Sequence, residues 1–400
     1  MTRQPRVYEI VDGRRELLSE ASNLLADCLH APMQWIREKE GTLLGVATRR
    51  DPFNAGGMLA DLLPALQGVR WDPCTGLWST VDIFSSVEVA RSIIQGCDEG
   101  FKLDQLNFRR TFVVSAVHGL VVAQTACRAH GLNVLNAAAA STVPKEKADT
   151  REWVVSTVDG KKLPSLKPWR PIKNLKLLVV TAPAKMRTED EANPYLRATP
   201  FDIGKPPRAP PGGPEPVDDS DERRDAALRW LERRRTQRGE TLVAVTEEED
   251  LNNALTIYVL DDVAKNWIVV GCSSIPKELR NVCACDGAVL LDSLVGAEVF
   301  DLDLLGWRSC PSKIPEKDEK FHLGCALTSP DGSAVLLRDG GSRCRSLVSR
   351  VRRDDSCDAA PTISRGSPLP DFMRLDRLVQ DPRAEGHDNG FGMCLLPMPI

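Results

Sequence analysis

Five residues in the C-terminal part of the chain have types that could hold a metal: Cys283, Cys285, Cys310, His322 and Cys325. A structural zinc site takes four thiolate or imidazole ligands, usually as two close pairs on tight turns. Here one pair is close, with a single residue between its members. If 321–328 is a strand, His322 and Cys325 point to opposite faces. The cysteines therefore read as small buried hydrophobes, and no metal ligand is assigned. Asp301-x-Asp303 could bind a divalent cation through two carboxylates. It alternates with Phe300, Leu302, Leu304 and Leu305, which is the pattern of a half-exposed strand or turn.

Nucleophilic catalysis needs a Ser or Cys beside a base and oxyanion donors. The chain has no Gly-x-Ser-x-Gly elbow. Cys127 and His130 would share a helix face as a thiol–imidazole pair, but no local signature accompanies them, and His118 reads as a hydrogen-bonded core histidine. No phosphate-binding glycine loop follows a strand, and Gly204-Lys205 sits in a proline-rich segment that no helix can follow. No catalytic, cofactor-binding or metal residue is thus assigned, and no cofactor is expected.

Basic residues crowd two segments. Arg233, Arg234 and Arg235 close one charged helix, and Arg350, Arg352 and Arg353 lie near the C-terminus. Arginine suits bidentate phosphate contacts, so these six are the candidate nucleic-acid contacts. Asp221, Glu222, Asp225 and Glu232 interleave the first run, as in a self-paired solvated helix. No row of aromatics offers a stacking platform for single strands.

The elements that must position these residues can be read from periodicity. Over 14–29, Leu17, Leu18, Ala21, Leu24, Leu25, Cys28 and Leu29 follow helical spacing up to Ala31-Pro32. A capping box at Ser85-x-x-Glu88 predicts a helix ending at Gly96. Asp104 to Gly131 is apolar nearly all round and predicts the central helix of an N-terminal helical domain. Trp153–Val158, Leu175–Thr181, Leu242–Val245, Thr256–Leu260 and Trp267–Gly271 read as strands, with Asp159-Gly160 as a tight turn. Thr246-x-x-Glu249 predicts the cap of a short helix. Phe321–Thr328 and Ser333–Arg338 read as a hairpin through Pro330-Asp331-Gly332, and 372–379 as a short helix. No internal repeat is evident.

Composition bounds the class. The chain has 400 residues, 42% hydrophobic and 27% charged, with net charge −4, which excludes a disordered, collagen-like or disulfide-scaffold protein and any global pull toward nucleic acid or anionic membranes. The expected fold class is α+β: a mainly helical domain over 1–150, a strand-containing extension over 151–198, a Pro/Gly-rich linker or arm over 199–220, and a loop-rich α/β domain over 221–400. The polar N-terminal residues lack the apolar core of a secretory signal, and Phe112–Cys127 is interrupted and too short for a spanning helix. The twelve cysteines are read as reduced thiols of an intracellular, cytoplasmic protein or of one within a virus particle. Proline-rich arms drape over neighbours in large assemblies. The function expected is therefore a non-enzymatic structural or interaction subunit, a viral capsid or virion component among the possibilities, with other protein chains as partners and no membrane. The alternatives are a thiol-dependent hydrolase or transferase and a nucleic-acid-associated protein contacting backbone phosphates.

Overall fold

The computed structural model describes residues 6–11, 14–20, 34–38, 42–48, 66–83, 106–128, 152–157, 161–168, 172–182, 220–237, 239–248, 255–273, 282–285, 287–293, 296–310, 322–328, 334–339, 347–352, 362–363 and 367–368. Strands dominate them. A hairpin of β1 (Arg6–Val11) and β2 (Arg14–Glu20) comes first. It is followed by a four-stranded sheet of β3 (Gln34–Arg37), β4 (Leu43–Thr48), β5 (Leu66–Trp71) and β6 (Trp78–Ile83). The third sheet has β7 (Leu106–Ser115), β8 (Gly119–Arg128) and β9 (Val154–Thr157). Bridges Trp153–Leu166 and Ser156–Lys162 lay segment 161–166 along its outer edge.

The fourth sheet has β10 (Ile172–Thr181), β11 (Glu240–Glu248), β12 (Leu255–Asp261) and β13 (Asn266–Ser273). The fifth has β14 (Val282–Cys285), β15 (Ala288–Ser293), β16 (Gly296–Asp301) and β17 (Gly306–Cys310). In the sixth, β18 (His322–Thr328), β19 (Ala334–Asp339) and β20 (Leu347–Arg352) are joined by β21 (Thr362–Ile363) and β22 (Ser367–Pro368), both on β20. Among the described residues every strand pairing is antiparallel, and all but β22 on β20 join chain neighbours. The first strands β3, β7, β10, β14 and β18 lie against one another in that order. Four-stranded meanders stacked with their first strands side by side are the blade arrangement of a β-propeller.

Stacking explains the sequence of each strand. In β12 all seven residues are buried. Leu255, Ile257 and Val259 enter a core shared with the fifth sheet, while Tyr258 and Leu260 enter one shared with the third. The same alternation divides β13, with Ile268 and Val270 on one side and Trp267 and Val269 on the other. A sheet covered on both faces needs apolar residues at consecutive positions. Each fully buried aliphatic contributes roughly 1.5–3 kcal/mol.

The same physics overturns the expected helical N-terminal domain. The run from Asp104 to Gly131 is not a helix but the β7–β8 hairpin, paired from Leu106↔Arg128 to Ser115↔Gly119. Val121 and Ala123 face the fourth sheet, whereas Phe112 and Val122 pack on Leu44 of the second. Apolar residues all round therefore mean two covered faces, a case periodicity alone does not separate from a buried helix. Residues 14–20 of the expected first helix form β2, paired with β1. Thr246 caps no helix, because it lies inside β11 opposite Leu175 and Thr256. The α+β class with a helical first half is replaced by an all-β architecture with one described helix, α1 (Ser220–Thr236). The expected helices at 85–96 and 372–379 and the tight turns at Asp159-Gly160 and 330–332 lie outside the described residues.

The strand expectations at 153–158, 175–181, 242–245, 256–260, 267–271 and 321–338 coincide with β9, β10, β11, β12, β13 and the β18–β19 pair. The charged helix expected to carry Arg233, Arg234 and Arg235 is α1. Its first turn carries Asp221 and Glu222 and its last Arg233, Arg234 and Arg235, the charge order that the helix dipole favours. β10 and β11, on either side of 182–219, pair along their whole length from Ile172↔Glu248 to Thr181↔Glu240. The chain between them, α1 included, thus connects two neighbouring strands of one sheet.

Candidate functional site at the turn-bearing edge

In an up-and-down sheet, the turns after the first and third strands leave from one edge. At that edge three hairpins share a sequence. Asp261 and Asp301 end the third strands of the fourth and fifth sheets, Asp72 directly follows that of the second, and Trp78, Trp267 and Trp307 stand six positions on. Each Asp turns the chain by accepting backbone N–H groups: Asp72 from Cys74 (2.8 Å), Asp261 from Val263 and Ala264 (3.0 and 3.2 Å), Asp301 from Asp303 (2.9 Å). Such Asx turns replace part of the missing ladder. The fifth residue of each motif, Gly76, Lys265 or Leu305, has positive φ (67°, 54° and 49°). The Thr75 hydroxyl and the Cys74 N–H also hold the Asp72 carboxyl below the ordinary aspartate range.

Each tryptophan reaches back one sheet. The indole N–H of Trp78 donates to Ser19 Oγ in β2 (2.8 Å), that of Trp267 to the Pro164 carbonyl (2.7 Å), and that of Trp307 to the Cys272 carbonyl in β13 (3.0 Å). Asp-x5-Trp is thus a repeated device that makes a turn and ties consecutive sheets. Replacing Trp267 by Phe keeps the ring but leaves the Pro164 carbonyl without its donor. A loss of about 1 kcal/mol in urea unfolding is expected.

Helix α1 closes the same edge between the fourth and fifth sheets. Ala227, Trp230 and Leu231 are buried in the core there, and Arg234 continues their stripe. Its guanidinium donates to Asp303 Oδ1 at 3.1 Å and to the Thr241 hydroxyl, and lies 5.5 Å from the Trp230 ring centre. The side chains of Arg234 and Asp303 are 3% and 1% exposed. Arg233 donates to the Asp261 carboxylate. Between the third and fourth sheets, Ser115 Oγ donates to Glu240 Oε2 (3.1 Å), Ala116 N–H donates to the same oxygen, and His118 Nε2 stands 3.4 Å from Asp262 Oδ2.

Most sequence candidates have a definite place. Of the first arginine run, Arg234 is buried, Arg233 is half-buried on Asp261, and Arg235 is exposed. Alanine at Arg235 alone therefore probes phosphate contact without disturbing the buried pair. Arg350 and Arg352 belong to β20, and Arg353 lies outside the described residues. Asp301 ends β16 and Asp303 lies in the turn after it, as the expected strand or turn, but both are buried rather than half-exposed, and Asp303 is matched by Arg234. Cys283 and Cys285 are buried in β14, Cys310 lies in β17, and His322 and Cys325 belong to β18. Cys127 lies in β8, and His130 is outside the described residues. His118 is in the β7–β8 turn rather than in a buried helix.

What sequence reasoning missed is the repeat. Three of the eight tryptophans follow an aspartate at the same distance, and searching for fixed spacings instead of long repeats would have exposed it. It also missed the surface of this edge. The exposed large aliphatics among the described residues are Leu77 (68%), Val117 (67%), Val263 (63%) and Leu228 (43%). The first three lie in the β5–β6, β7–β8 and β12–β13 turns and the fourth on α1. All four therefore belong to this one edge of their sheets.

No family model matches the chain, and no curated protein matches it. Among solved structures it is similar to an acylaminoacyl peptidase of Pyrococcus horikoshii, at 11% identity and a TM-score of 0.29 over 84% of this chain and 46% of that one. It is also similar to one of two prolyl endopeptidases analysed for inter-domain dynamics, at 13% identity and a TM-score of 0.31 over 92% and 53%. The chain spans about half the length of these two structures. At these scores neither likeness carries an activity to this chain. No described helix is long and apolar enough to cross a membrane.

Proposed function

We propose that the protein is a non-enzymatic interaction subunit of a larger protein assembly, with the turn-bearing edge of its sheets as the contact surface. One observation carries the reading: Leu77, Val117, Val263 and Leu228 all stand out from that edge. Among the described residues the exposed large aliphatics are confined to this edge, which supports a surface that other chains cover. The scaffold suits the task, since stacked sheets stitched by Trp78, Trp267 and Trp307 hold the turns at fixed positions. Its setting is proposed as intracellular or within a virus particle. The twelve cysteines follow no fixed spacing of a disulfide framework, which supports a reducing compartment.

Light scattering on the protein taken from its native cells tests the reading. The expected mass is well above the 44.0 kDa of one chain, and Leu77→Asp with Leu228→Asp should shift the protein toward the single-chain mass with unchanged melting. A 44.0 kDa species in both preparations sinks the proposal.

A further inference from the structure

The first sheet is short by two strands. Among the described residues β1 pairs with β2 alone, whereas the second, fourth and fifth sheets have four strands each. The tryptophan bonds fix which two strands these are. Trp307, in the fourth strand of the fifth sheet, reaches Cys272 in the fourth strand of the sheet before it. Trp267 reaches Pro164, in the segment along the outer edge of the third sheet. By the same rule Trp78, in the fourth strand of the second sheet, reaches Ser19 of β2 (2.8 Å). β2 thus takes the fourth position of the first sheet and β1 the third. The first and second positions, beyond β1, hold no strand among the described residues.

The backbone on that side of β1 offers a ladder. Val11↔Arg14 is the pair next to the hairpin turn, and in a two-residue hairpin that pair exchanges hydrogen bonds. Alternation then points the N–H and C=O groups of Tyr8 and Ile10 away from β2. Such an open edge is a template for a further strand. A side chain nearby gives a second, independent sign. Trp71 stands opposite Trp78 across β5 and β6, so both rings lie on the face of the second sheet that looks to the first. Leu44 and Val81, on the opposite face, pack on the third sheet. Trp71 is 5% exposed, and its indole N–H has no acceptor among the described residues. Buried donors are rarely left in that state.

Chain order names the occupant. A sheet takes its first strand from the chain that leaves the sheet before it: β7 follows β6, β14 follows β13 and β18 follows β17. After β22, the last strand of the sixth sheet, come residues 369–400. They carry two apolar runs of strand length, 372–379 and 391–396, with Pro382, Gly386 and Gly390 between them. The helical spacing of the first run does not argue otherwise, since residues 14–20 share it and form β2. We propose that residues 369–400 dock on the first sheet as its first and second strands, with 391–396 paired to β1, and bring an acceptor to the Trp71 indole. The edge of β1 is then closed to other chains, and the inference is independent of the interaction-subunit reading.

Hydrogen exchange of the full chain, read by NMR at the Tyr8 and Ile10 amides, tests the proposal. Both should be protected by about a hundredfold or more at every protein concentration. Leu395→Pro removes a ladder donor from the run beside β1 and should cut that protection by about tenfold or more. Leu375→Pro, one strand further in, should cut it less. A chain ended at Pro368 should lose the protection, and adding the peptide 369–400 should restore it. Val259 and Leu260 amides in β12 should stay protected throughout, which shows that the fold survives. Free exchange at Tyr8 and Ile10 in the full chain leaves the edge open to a partner and overturns the proposal. Protection that survives Leu395→Pro and the loss of 369–400 assigns the edge to another segment, and protection seen only at high concentration assigns it to a second copy. Either result overturns it as well. Should the shortened chain fail to fold, the two proline variants decide.

Discussion

Arg234→Met should lower the stability of the folded chain by about 3–5 kcal/mol, read as an earlier urea midpoint with an unchanged slope. The cost comes mainly from what is left behind. Asp303 is 1% exposed and would keep a buried negative charge with its cation gone. Burying an unpaired charge costs far more than the pair gains by forming. The pair is also imperfectly satisfied, since Arg234 Nη2 and Asp303 Oδ2 have no hydrogen-bond partner among the described residues. Removing both charges should therefore restore most of the loss. Arg234→Met with Asp303→Leu is expected at or above wild-type stability, as hydrophobic replacements of buried pairs often are. A double variant as unstable as the single would show that the pair is not the source of the effect. Far-UV circular dichroism at low denaturant checks that the fold survives in both.

The second large effect lies beneath the same helix. Phe300 is fully buried, its ring 5.0 Å from that of Trp307 in an edge-on contact. It rests on Gly271 of β13, where an added Cβ would stand 2.5 Å from Phe300 Cε2. Phe300→Ala should cost about 3–5 kcal/mol, from lost transfer energy and the cavity left behind. Gly271→Ala should cost about 1–3 kcal/mol by overpacking, because the ring has no free space to retreat into. Residues in contact do not act additively. Gly271→Ala should therefore cost clearly less in a Phe300→Leu background than alone. Equal costs in both backgrounds would remove the contact from the explanation. Gly271 is retained for close approach, and its backbone has no left-handed requirement.

Legibility in the sequence followed locality. Val259 and Leu260 could be placed in a strand because β-branched residues in a short run between turn residues favour one. Helix α1 was readable because its charges and its apolar strip repeat within three to four residues. Phe112 to Cys127 was misread because both faces of its hairpin are covered, by Leu44 on one side and the fourth sheet on the other. A chain apolar on every side carries no phase to say which period it obeys. Asp301 and Asp303 read as part of a half-exposed strand or turn, and their burial was hidden for a different reason: the cation that matches Asp303 lies 69 residues away.

The amino-acid sequence by itself determined the short-range features: where many of the strands run, the charge order of α1, and the three aspartates that bend their turns, each written in residues close along the chain. Tertiary structure alone decided which residues face water and which meet. His118 comes within 3.4 Å of Asp262, Arg234 becomes a core residue, and Trp307 bonds to Cys272 only after separate sheets stack. Those contacts join distant positions, and their energy comes from water excluded between surfaces that no local stretch of sequence contains.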